Sequence, residues 1–268
     1  MTTVSGNQTL EKTTANAIRV LELAGRGDVP VAAGAAKPLE REQYVAKYVH
    51  GESGMDGPDL PPAQGRPVGE SATDFLASRL EPGIVLVATG PLTNVAVALE
   101  AGARPERIVL MGGSIGEGNV TPAAEFNIWC DPEAAVQVFE SGFDVTMVGL
   151  DVTHQALFTP DRAERLRRTR IGAVVADLLD FYGIFHRETY GWPGSPIHDA
   201  VAVAHVVRPG LVRTVRCGVK VDTGELGRGQ TNVDRLGRMG WEANANVAVE
   251  MDASGFLDFL EERIVSLG

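Results

Sequence analysis

The residues able to do chemistry in this chain gather where apolar runs give way to loops. Ala88-Thr89-Gly90-Pro91-Leu92-Thr93-Asn94 follows such a run and offers backbone carbonyls, hydroxyls and an amide. Met111-Gly112-Gly113-Ser114 opens a polar loop that contains Glu117, Asn119, Glu125 and Asn127. His198-Asp199 stands at the start of a helical stretch, after the Gly/Pro-rich segment Gly191–Pro196. Oxygen donors of this kind suit a small neutral ligand or a hard cation, and histidine suits proton transfer near neutral pH. Each stretch is weak by itself. Gly112–Gly118 lacks the Lys-Ser/Thr of a phosphate loop and the dinucleotide glycine spacing, so its glycines read first as turn residues. Asp199 alone reads as a charge favoured by a helix N-terminus. Glu125 and Asn127, two apart in a loop, read alone as solvated.

The elements around these stretches explain why they belong together. β-Branched runs at 30–35, 84–89, 107–111 and 145–150 predict buried strands, and 211–251 predicts three more. Helices are expected at 9–26, 72–80 and 92–101, from Asp131-Pro132 onward, over much of 160–190, from Ile197, and at 254–266. The first should bury Ala17, Val20, Leu21 and Leu23. Asp131 is the expected N-cap, with Pro132 in the first turn, where a missing N–H costs nothing. Strands alternating with helices imply an α/β fold, a mostly parallel central sheet flanked by helices in an open, Rossmann-like arrangement. No linker divides the 268 residues, so one domain is expected. In such sheets ligands collect at the carboxyl ends of strands, where the three polar stretches fall.

Composition narrows the partners. Lys and Arg number 24 against 35 Asp and Glu, a net charge of −11, which repels polyphosphate and argues against a nucleic-acid polymer. The two cysteines, Cys130 and Cys217, have no metal-type spacing and read as buried thiols of a reducing cytosol. The N-terminal residues lack a signal-peptide apolar core, and no apolar run approaches the ~20 residues that span a bilayer. A cytoplasmic protein with a small-molecule ligand and no membrane partner is the expectation.

Taken in order, the motifs form a pattern. Gly6-Asn7-Gln8-Thr9, His50-Gly51 with Gly54 and Gly57, Ala88–Asn94, Met111-Gly112-Gly113, Gly118–Asn127, Asp131–Ala135, Gly149–Thr153 and His198-Asp199 succeed one another along the whole chain. The chain thereby resembles the inosine/uridine-preferring nucleoside hydrolases, and Met111–Ala135 is the most specific stretch. The resemblance implies cleavage of the N-glycosidic bond of a purine or pyrimidine ribonucleoside by water, giving ribose and free base. It implies a Ca²⁺ ion held partly by the Thr89 backbone carbonyl and the Asp199 carboxylate. Asn7, Asn119, Glu125 and Asn127 would hold the ribose, with Met111 beside the sugar. His198 and Asn127 would be catalytic, His198 protonating the departing base, and His50 would lie near that base. A homodimer or homotetramer is implied too.

One departure from the pattern stands out. The aspartate-rich DxDxxxDD motif that supplies the remaining metal ligands in this family is absent, and no Asp occurs before Asp28. The first βα unit, roughly 30 residues, is expected upstream of Met1. An upstream true start, a genuine truncation or degenerate paralogue, and supply of the part by another chain all remain open. A chain starting at Met1 is expected to hold Ca²⁺ poorly and to turn over weakly or not at all. The alternative function is a non-catalytic nucleoside- or ribose-binding paralogue. A dinucleotide-dependent oxidoreductase is disfavoured by the missing glycine fingerprint. All these readings but the last require Thr89, Asn127 and Asp199 to share one cavity.

Overall fold

A computed structural model describes residues 1–268. Ten strands form three sheets: β1 (Thr2–Thr3), β2 (Ala32–Ala33), β3 (Val85–Ala88), β4 (Arg107–Met111), β5 (Val145–Val148), β6 (Leu157–Phe158), β7 (Ser195–Pro196), β8 (Val212–Val221), β9 (Thr231–Asp234) and β10 (Ala245–Met251). The central sheet runs in the order β3-β4-β5-β10-β8-β9. Neighbours are parallel from β3 through β10, and β8 and β9 add antiparallel strands at one side. β1 pairs with β2 in parallel as a separate two-stranded sheet, and β6 with β7 as another. The expected α/β class and mostly parallel sheet are therefore observed.

β4 shows how sequence becomes sheet. Its run Arg-Ile-Val-Leu-Met is apolar without polar alternation, as a strand covered on both faces must be. Ile108 and Leu110 pack into one core with Val145, Met147, Val138 and Val247. Val109 and Met111 turn to the opposite core with Val148, Leu150, Val201 and Phe158. Helices Thr93–Glu100 and Pro132–Phe139 cover the first face; Asp199–Val207 and Ala253–Val265 cover the second. Asp131 caps its helix by accepting the Ala134 N–H at 3.1 Å, with Pro132 in the first turn, as its sequence implies.

Two expectations need correction. The first helix spans Leu10–Leu23, and its buried residues are Thr14 and Ile18, while Val20 is exposed. Thr14 is buried because its hydroxyl meets that of Thr3 at 2.8 Å, so a polar pair occupies a position that hydropathy assigns to the outside. The strand expected over 30–35 contracts to Ala32–Ala33, since its partner β1 is only two residues long. No helix is long and apolar enough to cross a membrane.

Candidate active site

One cavity of about 400 Å³ lies where the loops after β3, β4 and β5 meet the segment leading into helix Asp199–Val207. Asn7, His50, Thr89, Met111, Asn119, Glu125, Asn127, His198 and Asp199 all line it. These nine residues, implied by the family resemblance, are thus brought to a single place, although their positions span nearly 200 residues of chain; Glu117, in the same loop as Asn119, does not line it. Thr89 is the first residue past β3, and Met111 is the last of β4.

The loop after β4 is built tightly, and its glycines are part of the construction. A Cβ on Gly118 would lie 2.3 Å from the Ala124 N and O atoms, so no side chain fits where the loop folds on itself. Gly113 has φ +76° and accepts the Leu150 N–H, joining this loop to the end of β5. Glu125 is 2% exposed. Its Oε2 takes the N–H of Gly113 at 3.0 Å and that of Ile128 at 3.2 Å, capping helix Phe126–Cys130. Asn127 Nδ2 donates to the Met111 carbonyl at 3.1 Å, and Asn119 Oδ1 accepts the Phe126 N–H at 2.9 Å.

These bonds decide what remains for a ligand. Asn127 Oδ1 has no hydrogen-bond partner and is an available acceptor, Asn119 Nδ2 is an available donor, and Glu125 Oε1 is left by the Gly113 and Ile128 N–H groups with the Asn127 backbone N–H facing the carboxyl. A vicinal diol both donates and accepts, so this set matches the hydroxyl edge of a sugar. Burial pushes the Glu125 carboxyl up to about 7, against the pull of the backbone N–H groups that face it.

The lining also carries an aromatic cluster. His50 stacks on Tyr182, with centroids 5.5 Å apart and planes at 23°. Tyr182 meets His186 at 4.4 Å, His186 stacks on Trp192 at 5.7 Å, and Trp192 stacks on Tyr190 at 4.7 Å. Tyr182, His186 and Tyr190 come from one face of the long helix Arg170–Tyr190; Gly191, in the left-handed conformation at φ +66°, ends that helix and turns Trp192 back. Four of the five histidines in the chain line this one cavity. Burial pushes His50 down to about 4 and His198 down to about 3, so both rings are neutral near pH 7. The unperturbed histidine pKa used in reading the sequence does not describe His198, because the ring is enclosed and faces His154, His186 and His50.

His154 is the residue that sequence reading missed. It ends the short helix Leu150–Thr153 after β5 and sits 4.8 Å from Trp192 and 5.5 Å from His198, centroid to centroid. The motif Gly149–Thr153 ends one residue short of it, and its position after a parallel strand was the available signal.

Asp199 and Thr89 are the candidate metal donors. The Asp199 carboxylate lines the cavity without a protein hydrogen-bond partner and is open to it, and desolvation by the surrounding protein pushes it up to about 7. A hard cation would find one free carboxylate there. Ca²⁺ takes about 6–8 oxygens, however, and no three His, Cys, Asp or Glu side chains cluster anywhere in the structure as a metal site. The donors present do not make up a Ca²⁺ site of their own.

Comparisons with known proteins agree with this geometry. The family model of the inosine-uridine preferring nucleoside hydrolases matches residues 1–258. The pyrimidine-specific ribonucleoside hydrolase RihA of Shewanella woodyi is 46% identical over 275 residues, covering 98% of this chain and 88% of the relative. RihA of Citrobacter koseri is 47% identical over 278 residues, with the same coverage. Among solved structures, the purine-preferring ribonucleoside hydrolase of Gardnerella vaginalis superposes with a TM-score of 0.92 at 34% identity, over 99% of this chain and 89% of that one. A plant nucleoside hydrolase gives 0.91, also at 34% identity and with the same coverage. With the match running nearly end to end and the motif residues lining one cavity, this chain belongs to the inosine-uridine preferring nucleoside hydrolase family.

Proposed function

We propose that the cavity hydrolyses the N-glycosidic bond of ribonucleosides, pyrimidine ribonucleosides in preference to purine ones. The observation that carries this reading is that one cavity brings together free amide and carboxyl groups and a cluster of aromatic rings. The relatives at 46–47% identity are pyrimidine-specific enzymes, whereas the purine-preferring structural neighbour is at 34%.

The ribose lies against Asn119, Glu125 and Asn127, with Asn7 and Met111 beside it. The transition state of such a cleavage resembles an oxocarbenium ion, and the carboxylate and amide oxygens facing the sugar stabilise its positive charge. The base lies between His50, Tyr182, His186 and Trp192, whose ring faces suit a planar heterocycle. His198 stands on the base side and assists its departure. Asn127, held by Met111, and His198 are the catalytic residues of this reading. Thr89 and Asp199 are what this chain offers Ca²⁺, whose chemistry when bound is to acidify water and hold sugar hydroxyls. A homo-oligomer is consistent with the family.

A second reading, nucleoside or ribose binding without cleavage, is favoured by the absence of a metal-type side-chain cluster. Chromatography of uridine, cytidine and inosine incubated with the protein and Ca²⁺ separates the two. Release of base matched by reducing sugar supports the first, and retention seen by calorimetry without release supports the second.

A further inference from the structure

We propose that Thr153 locks His198 as the neutral tautomer protonated on Nε2, so that the ring presents a fixed N–H donor to the departing base. The argument rests on hydrogen counting. Thr153 Oγ1 lies 2.8 Å from His198 Nδ1. The Thr153 side chain is fully buried, and its hydroxyl has no other partner in the structure. A hydroxyl carries one hydrogen, and a buried hydrogen left without an acceptor costs about 1–3 kcal/mol. That hydrogen is satisfied only if Thr153 donates and Nδ1 accepts. An imidazolium, or the Nδ1–H tautomer, would place two hydrogens in the same short contact and orphan one of them.

The other ring nitrogen is then the protonated one. His198 Nε2 has no protein partner and is not among the sealed-off unpaired polar atoms, and the residue lines the cavity. Its N–H therefore faces ligand space. His154 and the backbone keep it there: His154 packs edge-on against the ring, and the His198 carbonyl accepts the Val201 N–H at 3.0 Å. Thr153 is the last residue of the short helix Leu150–Thr153 after β5 and His198 is the N-cap of helix Asp199–Val207, so the lock also ties these two helices together.

This rests on the hydrolytic reading for its chemistry. The C1′–N bond breaks with its electron pair going to the base, the new C1′–O bond comes from water, and the proton that water sheds ends on the base. Nε2–H hydrogen-bonds the charge developing on the base and is unchanged after turnover. Thr153 is a positioning residue; it acts through His198.

The test is a long-range proton–nitrogen correlation spectrum of protein carrying isotope-labelled histidine, at neutral pH, with His198 assigned by its loss in His198→Gln. The expected pattern shows hydrogen on Nε2 and none on Nδ1. Hydrogen on Nδ1, or on both nitrogens, overturns the proposal. This readout needs no turnover, so a parent protein that cleaves nothing would sink the hydrolytic reading and leave the tautomer result standing. The kinetic arm compares uridine with para-nitrophenyl riboside, whose leaving group departs without a donor. Thr153→Val should lower kcat on uridine about tenfold with little change in KM, and leave the nitrophenyl substrate nearly untouched. Thr153→Ser, which keeps the hydroxyl, should behave like the parent. Equal losses on both substrates would contradict the donor role.

Discussion

Replacing Glu125 by glutamine keeps the geometry of its hydrogen bonds and removes only the cost of burying its charge. Both loop N–H groups go to one oxygen, Oε2, and a glutamine Oε1 can accept them equally. The parent carboxyl is raised from 4.5 to about 7 in the folded protein. Between those values the folded state holds a proton that the unfolded chain has lost, so stability is greatest at low pH and falls as pH rises through the window. A shift of this size corresponds to about 3 kcal/mol, present as destabilisation above about pH 7 and nearly absent at about pH 5. Glu125→Gln should therefore match the parent within about 1 kcal/mol at about pH 5 and exceed it by about 3 kcal/mol at about pH 8. Asp199, itself raised by desolvation, repels the Glu125 carboxylate, so removing that charge eases its ionisation and adds to the gap in the same direction. Urea unfolding of the two proteins across this range measures the gap directly. A gap that is flat with pH, or that shrinks as pH rises, refutes the claim that Glu125 is held as a costly buried carboxylate. Glu125→Ala is the contrasting case: it strands the Gly113 N–H and removes a helix cap, and should cost about 2–4 kcal/mol at about pH 5, a cost that shrinks as pH rises because the buried charge goes too.

Other expectations follow from the same geometry. Asp199→Asn should abolish Ca²⁺ heat in calorimetry, and the parent itself should bind the ion weakly because Asp199 is its one free carboxylate in the cavity; submicromolar parent affinity would contradict this. Gly118→Ala should lower the unfolding midpoint and the affinity for ribose together, since the added carbon collides with the Ala124 backbone; the cost should be about 3 kcal/mol or more, and an unshifted melt would count against the loop geometry. His50, pushed down to about 4, is neutral when folded and takes a proton more readily unfolded. Its own contribution is present above about pH 6.5 and lost as pH falls, about 2 kcal/mol from about pH 7 to 5. The stability difference between the parent and His50→Phe should therefore change by that amount over this range in chemical denaturation, and a difference flat with pH would rule His50 out as a source. Trp192→Ala removes a ring stacked between His186 and Tyr190, and should raise KM for nucleosides more than it lowers kcat, an order reversed if Trp192 served only to fold the loop.

Much of this architecture was legible in residue order because several signals coincide. The strand Arg107–Met111 combines an unbroken apolar run with flanking polar turns, and the helix after Asp131 carries both its cap and its proline. Thr89, Met111, His198 and Asp199 stand at a strand end or a helix start, the places where a parallel sheet exposes its loops, whereas His50 closes a helix and Asn119 lies mid-loop, so that only the family resemblance points to them. Legibility failed where a tertiary contact outweighed local chemistry. Thr14 is buried by a partner eleven residues away, which hydropathy cannot register. His154 acquires meaning only because Trp192 and His198 fold against it. The neutral state of His198 comes from enclosure, which no spacing encodes.

The hairpin behind the site was equally hidden. Thr231 donates to the Ser114 carbonyl at 2.6 Å and accepts its N–H at 2.9 Å, while Arg228 lies 3.9 Å over the Trp129 ring. Both contacts brace the ribose-side loop from more than 95 residues downstream, through groups whose local sequence carries no functional motif.

The most direct measurement is the fate of uridine in this cavity: protein, Ca²⁺ and uridine are mixed, and uracil and ribose are quantified over time, with Asn127→Ala as the control. Uracil and ribose appearing together, slowly as the incomplete Ca²⁺ donor set implies, at equal amounts and only with the parent, is the predicted result. Uridine that binds with measurable heat yet stays whole, or cleavage that continues undiminished in Asn127→Ala, would contradict the account.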